Sequence, residues 1–175
     1  NIDSEGFPFT DDTKIFRKII TKTDDLLLQQ DINTLEDWSN TWLLNFNTEK
    51  CHVLSLGRFE DIKYTARYTI YGQELEHVFA EKALGVVIDG KLSFEDHISV
   101  KVKKANSIVG LIRRSFSFLS GNLFKKLYTA LLRPHLEYAQ VVWSPFLKKY
   151  VDMIESVQIR ATKLVDGFKN LSYKE

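Results

Sequence analysis

Two adjacent carboxylates, Asp11 and Asp12, lie between short apolar runs in residues 6–16. This pattern predicts a β-hairpin that carries both carboxylates at its tip. Carboxylate oxygens suit a hard cation such as Mg²⁺, which keeps several waters and is often shared with substrate phosphates. Aspartate also favours turns for its backbone geometry alone. On local evidence, the pair therefore favours a structural turn over a metal site.

A block of positive charge follows in the second half of the chain. Residues 97–136 contain eight basic residues and no acidic one, although the net charge of the whole chain is only +1. Such a block can neutralise nucleic-acid phosphates, and it is equally compatible with a solvated helix surface. The eight bases are Lys101, Lys103, Lys104, Arg113, Arg114, Lys125, Lys126 and Arg133.

Other chemistries find little support. The four histidines lack the spacing of a zinc site, and the single cysteine, Cys51, cannot supplement them or form an internal disulfide. We expect no structural metal and a reducing compartment. No apolar run approaches the roughly 20 residues that cross a bilayer. We therefore expect an intracellular protein, in the nucleus or cytoplasm, without a membrane partner.

Apolar spacing predicts one long helix in the first half of the chain, from Asp24 to Leu44. Trp38 and Trp42 lie one turn apart on its apolar side, which predicts that both pack in a core. Short antiparallel strands are predicted between Cys51 and Ile88, with a turn at residues 71–73.

Three helices are predicted downstream, the first being amphipathic with a basic face and N-capped by Ser93. The second runs from Ser120 towards Trp143 and is kinked or divided by Pro134. The third spans about 149–165, and the three make a small bundle. The sequence thus predicts an α+β fold, with a small sheet and long helix in 1–90 and a helical part in 91–175.

Several segments resemble, in collinear order, reverse transcriptases of non-LTR retrotransposons of the jockey-like kind. Residues 9–16 (FTDDTKIF) resemble the aromatic-Ala-Asp-Asp box, residues 44–51 (LNFNTEKC) a Phe-Asn-x-x-Lys segment, and residues 82–86 (KALGV) the Leu-Gly primer-grip turn. Residues 133–138, 142–145 and 154–163 resemble stretches of the thumb and connection. Within the box, Thr10 replaces the usual alanine and Pro8 interrupts the preceding strand. No single box is decisive, but the ordered set is specific.

This resemblance implies a role for each segment. Residues 1–90 would be the rear of a polymerase palm and 91–175 the thumb. Asp11 and Asp12 would be catalytic metal ligands for Mg²⁺, and Lys50 would lie near the leaving pyrophosphate. Leu84 and Gly85 would form the turn against the primer backbone. The template–primer duplex would be held through its phosphates by Lys101, Lys103, Lys104, Arg113 and Arg114.

The implied activity is RNA-directed DNA synthesis, a nucleotidyl transfer with an RNA template and a DNA primer as partners. The family also needs fingers and another palm aspartate, and neither is expected in these 175 residues. The carboxylates of one turn cannot clamp two metal ions, so we expect no polymerisation by this chain alone and at most weak binding of Mg²⁺. The alternative is a non-catalytic module that binds nucleic acid or protein, including self-association through exposed apolar palm surface.

Overall fold

The computed structural model of the chain describes residues 4–9, 12–57 and 66–169. Most of its short strands precede most of its helices, which agrees with the predicted α+β class. The chain forms two compact units, Asn1–Glu81 and Lys82–Glu175, so their boundary precedes the predicted division after residue 90. The assignment of these units to a palm and a thumb stays a prediction.

The first unit contains one long helix and most of the short strands. Its elements are β1 (Glu5–Phe9), β2 (Asp12–Phe16), α1 (Lys22–Trp42), a 3₁₀ turn (Thr48–Lys50), β3 (His52–Leu54), β4 (Thr69–Ile70), β5 (Gln73–Glu74) and β6 (Glu76–Val78). β1 pairs antiparallel with β2, and β4 pairs antiparallel with β5 through the turn at Tyr71 and Gly72. Both hairpins were predicted.

The pairing of β3 with β6 is parallel, so the expectation of antiparallel strands throughout was wrong. His52 lies opposite Glu76, and Leu54 lies opposite Val78. A parallel pair needs a crossover connection longer than a hairpin loop. The connection between the two strands contains the β4–β5 hairpin.

Helix α1 turns polar side chains towards the rest of its unit. Its buried residues are Asp25, Asp31, Ile32 and Ser39. The Tyr68 hydroxyl donates to Asp25 at 2.9 Å, and the Arg17 guanidinium donates to Asp31 at 2.9 Å. A buried carboxylate is stable only when such donors replace its lost water. The side of α1 that packs is therefore fixed by hydrogen bonds as much as by apolar contact.

Trp38 and Trp42 do not pack in the core, and that prediction was wrong. Their exposed fractions are 48% and 65%, and the two residues that follow the helix, Leu43 and Leu44, are exposed as well. Ser39, which is fully buried, hydrogen-bonds the Tyr71 hydroxyl and so turns that side of the helix end inward.

The second unit is built from one hairpin and several helices. β7 (Ala80–Ala83), across which the unit boundary falls, pairs with β8 (Val86–Asp89). The helices are α2 (Glu95–Ser115), α3 (Gly121–Leu127), α4 (Arg133–Glu137), α5 (Gln140–Trp143) and α6 (Lys148–Thr162). α2 has the predicted amphipathic pattern, with five buried apolar residues: Ile98, Val102, Ala105, Val109 and Ile112.

A π-helical segment, Tyr128–Leu132, joins α3 to α4, whose second residue is Pro134. Proline has no N–H to donate, and its ring clashes with the carbonyl four residues earlier. A wider turn relieves this clash, so the predicted disturbance near Arg133 takes the form of a π segment. The helical run then ends at Tyr138, and Ala139 has a positive φ of 54° before the short helix α5.

The N-cap residue of α2 is Phe94, where Ser93 was expected. The Ser93 hydroxyl accepts from the Glu95 N–H at 3.3 Å, and Asp89 orders the turn that precedes the helix. The Asp89 carboxylate accepts hydrogen bonds from the N–H groups of Lys91, Ser93 and Phe94. Burial acts to raise the pKa of this carboxyl, but these donors outweigh it and hold the pKa below its usual range. Asp89 is the last residue of β8, so it ties this strand to the turn that precedes α2.

His97 is almost completely buried, at 1% exposure, and packs against the Trp143 ring. Its Nδ1 accepts a hydrogen bond from the Val87 N–H at 3.1 Å, which places the ring proton on Nε2. Nε2 has no hydrogen-bond partner among the described residues. Desolvation, followed by the nearby charge of Lys101, lowers the pKa of His97.

We expect the second unit to lose stability as the pH falls from about 7 to about 5. Because the pKa of folded His97 is lowered, the unfolded chain takes up a proton that the folded chain excludes. The stability is complete above the unfolded pKa of about 6.5 and decreases below it. Thermal unfolding followed by circular dichroism at several pH values measures the effect.

The variant His97→Asn keeps an acceptor for the Val87 N–H but does not titrate. It should be less stable at neutral pH and show a weaker dependence on pH than the wild type. The matched control His135→Asn retains His97 and should keep the wild-type dependence. Equal pH dependence in His97→Asn and the wild type would contradict this account.

Candidate functional site

Asp12 lies in the β1–β2 hairpin. It is the first residue of β2, is exposed and pairs with Phe9. Asp11 lies outside the described residues, as does Thr10. Within residues 4–9, 12–57 and 66–169, no group of three or more His, Cys, Asp or Glu side chains could hold a metal ion. The metal-binding role of Asp11 and Asp12 stays a prediction.

Lys50 ends the 3₁₀ turn in the same unit as Asp12. The Asn47 side chain caps this turn by accepting from the Glu49 N–H at 3.0 Å, and Thr48 donates to Gln73 at 2.6 Å. Lys50 is exposed, whereas the next residue, Cys51, packs against the apolar core of the first unit, which contains Ile32, Tyr68, Ile70 and Leu75. Burial raises the pKa of the Cys51 thiol. The turn therefore anchors the chain on one side of Lys50 and leaves its ammonium in solvent.

Leu84 and Gly85 form the two-residue turn between β7 and β8. Their φ values are 49° and 80°, so both lie in the left-handed region that tight hairpins require. A Cβ atom on Gly85 would lie 3.2 Å from Cε1 of Tyr138, closer than an ordinary van der Waals contact. Glycine is thus needed here both for the backbone conformation and for the approach of an aromatic ring.

Tyr138 contacts this turn and one of the predicted nucleic-acid-binding lysines. Its hydroxyl donates to the Leu84 carbonyl at 2.9 Å, and the Lys101 Nζ lies 5.4 Å from the centre of its ring. The buried Trp143 indole donates to the Tyr138 carbonyl at 2.7 Å. The structure therefore brings together Leu84, Gly85 and Lys101, which lie in separate segments of the sequence.

The predicted bases of α2 lie outside its buried apolar stripe. Lys103, Lys104, Arg113 and Arg114 are exposed, and Lys101 is half-buried. Lys103 and Arg114 lie opposite the stripe, as predicted, whereas Lys101 and Arg113 lie beside it. Their contact with nucleic acid stays a prediction. In the sequence, Tyr138 stands out only as the last residue of the segment 133–138. A single tyrosine does not indicate which distant residues it will contact in the fold.

Over most of its length the chain is similar to RNA-directed DNA polymerases of mobile elements, as the ordered motifs predicted. It is 25% identical over 169 residues to the RNA-directed DNA polymerase from mobile element jockey of Drosophila funebris. It is 23% identical over 171 residues to that of Drosophila melanogaster. It is 24% identical over 138 residues to the probable RNA-directed DNA polymerase from transposon X-element of D. melanogaster.

These alignments cover 91%, 91% and 75% of this chain, respectively. The chain spans less than a fifth of each relative, at 18%, 18% and 14% of their lengths. No family model and no solved structure matches the chain. Among the described residues, no helix is long and apolar enough to span a membrane.

Replacing Gly85 by alanine should destabilise the second unit by about 1–2 kcal/mol through its left-handed backbone, with a further loss from the Tyr138 contact. The matched control is Gly110→Ala in helix α2, where a Cβ meets only the end of Arg114 at 3.6 Å. That change should instead stabilise the helix by about 1 kcal/mol. Urea unfolding compares the two variants, and a Gly85→Ala protein as stable as the wild type would contradict the turn geometry.

Proposed function

We propose that this chain is part of a reverse transcriptase of a non-LTR retrotransposon and supplies its primer-grip turn and a nucleic-acid-binding helical thumb. The similarity to RNA-directed DNA polymerases over 91% of the chain carries the proposal. The exposed basic face of α2 supports it, since this face has the charge that a phosphate backbone attracts.

The basic face suits a sequence-independent grip on a duplex. Lys103 and Arg114 lie on the same side of α2, about 16 Å apart along the helix axis at 1.5 Å per residue. A duplex lying along this side meets both residues through its phosphates, which carry no sequence information. Such binding suits a polymerase, which must translocate along any template.

In the complete enzyme, we propose that Asp11 and Asp12 bind Mg²⁺ with a carboxylate from elsewhere, and that Lys50 neutralises the leaving pyrophosphate. The exposed positions of Asp12 and Lys50 are compatible with these roles. One carboxylate pair cannot clamp two metal ions, so we propose that the 175 residues alone do not extend a primer.

The isolated chain should bind an RNA–DNA hybrid with an affinity that falls steeply as salt is raised. Each phosphate contact that is lost should lower the slope of log K against log salt by about 0.9 on a B-form duplex. The double variant Arg113→Gln/Arg114→Gln should therefore reduce the slope by about 1 to 2. Fluorescence anisotropy across a salt series measures both values.

The matched control is Lys148→Gln/Lys163→Gln, which removes two exposed charges of the same unit that lie outside the basic block of residues 97–136. This control should leave the slope closer to that of the wild type. Absence of hybrid binding by the wild type at low salt, or equal losses in the two double variants, would count against the proposed thumb role.

A second candidate function is protein interaction, in particular self-association through the first unit. Trp38 and Trp42 expose large aromatic surface one helical turn apart, and Leu43 and Leu44 extend the same apolar surface. Exposed apolar surface of this kind marks interaction sites more often than scattered single residues do.

If this surface associates with itself, sedimentation velocity of the wild type should show a dimer whose fraction increases with protein concentration. Trp38→Gln/Trp42→Gln should stay monomeric, because it removes apolar area without altering the buried side of α1. Phe79→Gln, at a position of the same unit that is 84% exposed, is the control and should behave like the wild type. A monomeric wild type at all concentrations excludes this candidate.

A further inference from the structure

We propose that Tyr138 is a positioning residue, and that it holds the Leu84–Gly85 turn and the Lys101 ammonium together as one contact for the backbone of the primer strand. The inference rests on the proposed function and adds to it the residue that builds this contact. It also gives Lys101 a role that the other bases of α2 do not share.

Tyr138 is itself fixed from two sides. Its N–H donates to the Pro134 carbonyl at 3.2 Å, which closes the end of α4. Its carbonyl accepts from the indole N–H of Trp143, whose side chain is 1% exposed. Because Trp143 belongs to the main core of the unit, these bonds attach the backbone of Tyr138 to that core, while its side chain is 51% exposed.

From this fixed position, Tyr138 determines where the turn lies. Its hydroxyl donates to the Leu84 carbonyl. Its ring lies against Gly85, in the space that a side chain at this position would need. The hairpin is thus attached to the core at its tip, where hairpins are usually most mobile. A turn held in this way presents the same backbone surface to each ligand that approaches it.

Lys101 differs from the other bases of α2 in where its charge lies. Its ammonium faces the Tyr138 ring at 5.4 Å, whereas Lys103 and Lys104 extend into solvent. Its charge also acts on the buried His97, one turn earlier in the helix. The ammonium is therefore held beside the turn by the ring that fixes the turn.

No carboxylate forms an ion pair with Lys101 in the part of the chain that the structure describes. A positioned ammonium without a carboxylate partner, next to a close-approach glycine turn, fits a phosphodiester. Since residues 82–86 resemble the primer grip, we assign this phosphodiester to the primer strand.

The test is a scan of a primer–template hybrid in which one phosphate at a time is replaced by an uncharged methylphosphonate, with binding measured by anisotropy. For the wild type, neutralising one or two primer phosphates near the 3′ end should weaken binding about three- to tenfold. Lys101→Gln should weaken binding to the unmodified hybrid by a similar factor and lose its sensitivity at those phosphates.

Two further variants separate positioning from charge and from folding. Lys103→Gln, which removes one base from the same helix, should keep the sensitivity at the primer phosphates. Tyr138→Phe keeps the ring but loses the hydroxyl, so it should reduce that sensitivity while unfolding at nearly the wild-type temperature. In the double variant with Lys101→Gln, Tyr138→Phe should weaken binding by less than it does alone, because both residues act through one contact.

The outcomes distinguish this inference from the function on which it rests. A wild type that does not bind the hybrid overturns both. A wild type that binds overturns the inference alone if Lys101→Gln retains its sensitivity, or if the lost sensitivity lies on template phosphates. Tyr138→Phe with a wild-type phosphate profile would also overturn the positioning role.

Discussion

The indole of Trp143 is almost completely buried, and its N–H must therefore find an acceptor inside the protein. It finds the carbonyl of Tyr138, five residues earlier, across the left-handed residue Ala139. The same indole packs against His97, whose ring accepts the Val87 N–H of β8. One buried aromatic side chain thereby links helix α5, helix α2 and the β7–β8 hairpin. The arrangement of the exposed turn and the basic face depends on this buried contact.

The elements that could be predicted are those whose packing is apolar and local. The apolar stripe of α2 recurs at helical spacing, and its five inward residues are buried as the periodicity requires. The turn at Tyr71 and Gly72 was also predictable, because a glycine between two strand-like segments favours a hairpin. These features depend on neighbouring residues, so the sequence contains the whole signal.

The elements that could not be predicted depend on distant polar partners. The buried face of α1 contains Asp25, Asp31 and Ser39, whereas Trp38 and Trp42 remain exposed. The partners of those polar groups include Arg17, Tyr68 and Tyr71, up to 43 residues away. A pattern that assigns apolar residues to the core cannot detect a helix that packs through hydrogen bonds. The parallel pairing of β3 with β6 is non-local in the same way.

The same distinction applies to the candidate site. The Leu84–Gly85 turn was expected from the resemblance of residues 82–86 to a primer-grip turn, and the basic face of α2 from the charges in the sequence. The role of Tyr138 was not, because it depends on a contact with Leu84 across 54 positions. Nor does the sequence indicate which base of α2 lies beside that turn. Only the packing of Lys101 over the Tyr138 ring distinguishes it.

The π-helical segment at Tyr128–Leu132 holds about one residue more per turn than an α-helix does. Each residue removed from a regular α-helix rotates all later side chains by about 100°. Removing one residue from the π segment would instead leave an ordinary α-helical turn, so Leu136 would still face the core and Tyr138 would still reach the hairpin tip. A single-codon loss in this segment would therefore keep the two halves of the proposed contact together, whereas the same loss from the first residues of α4 would separate them.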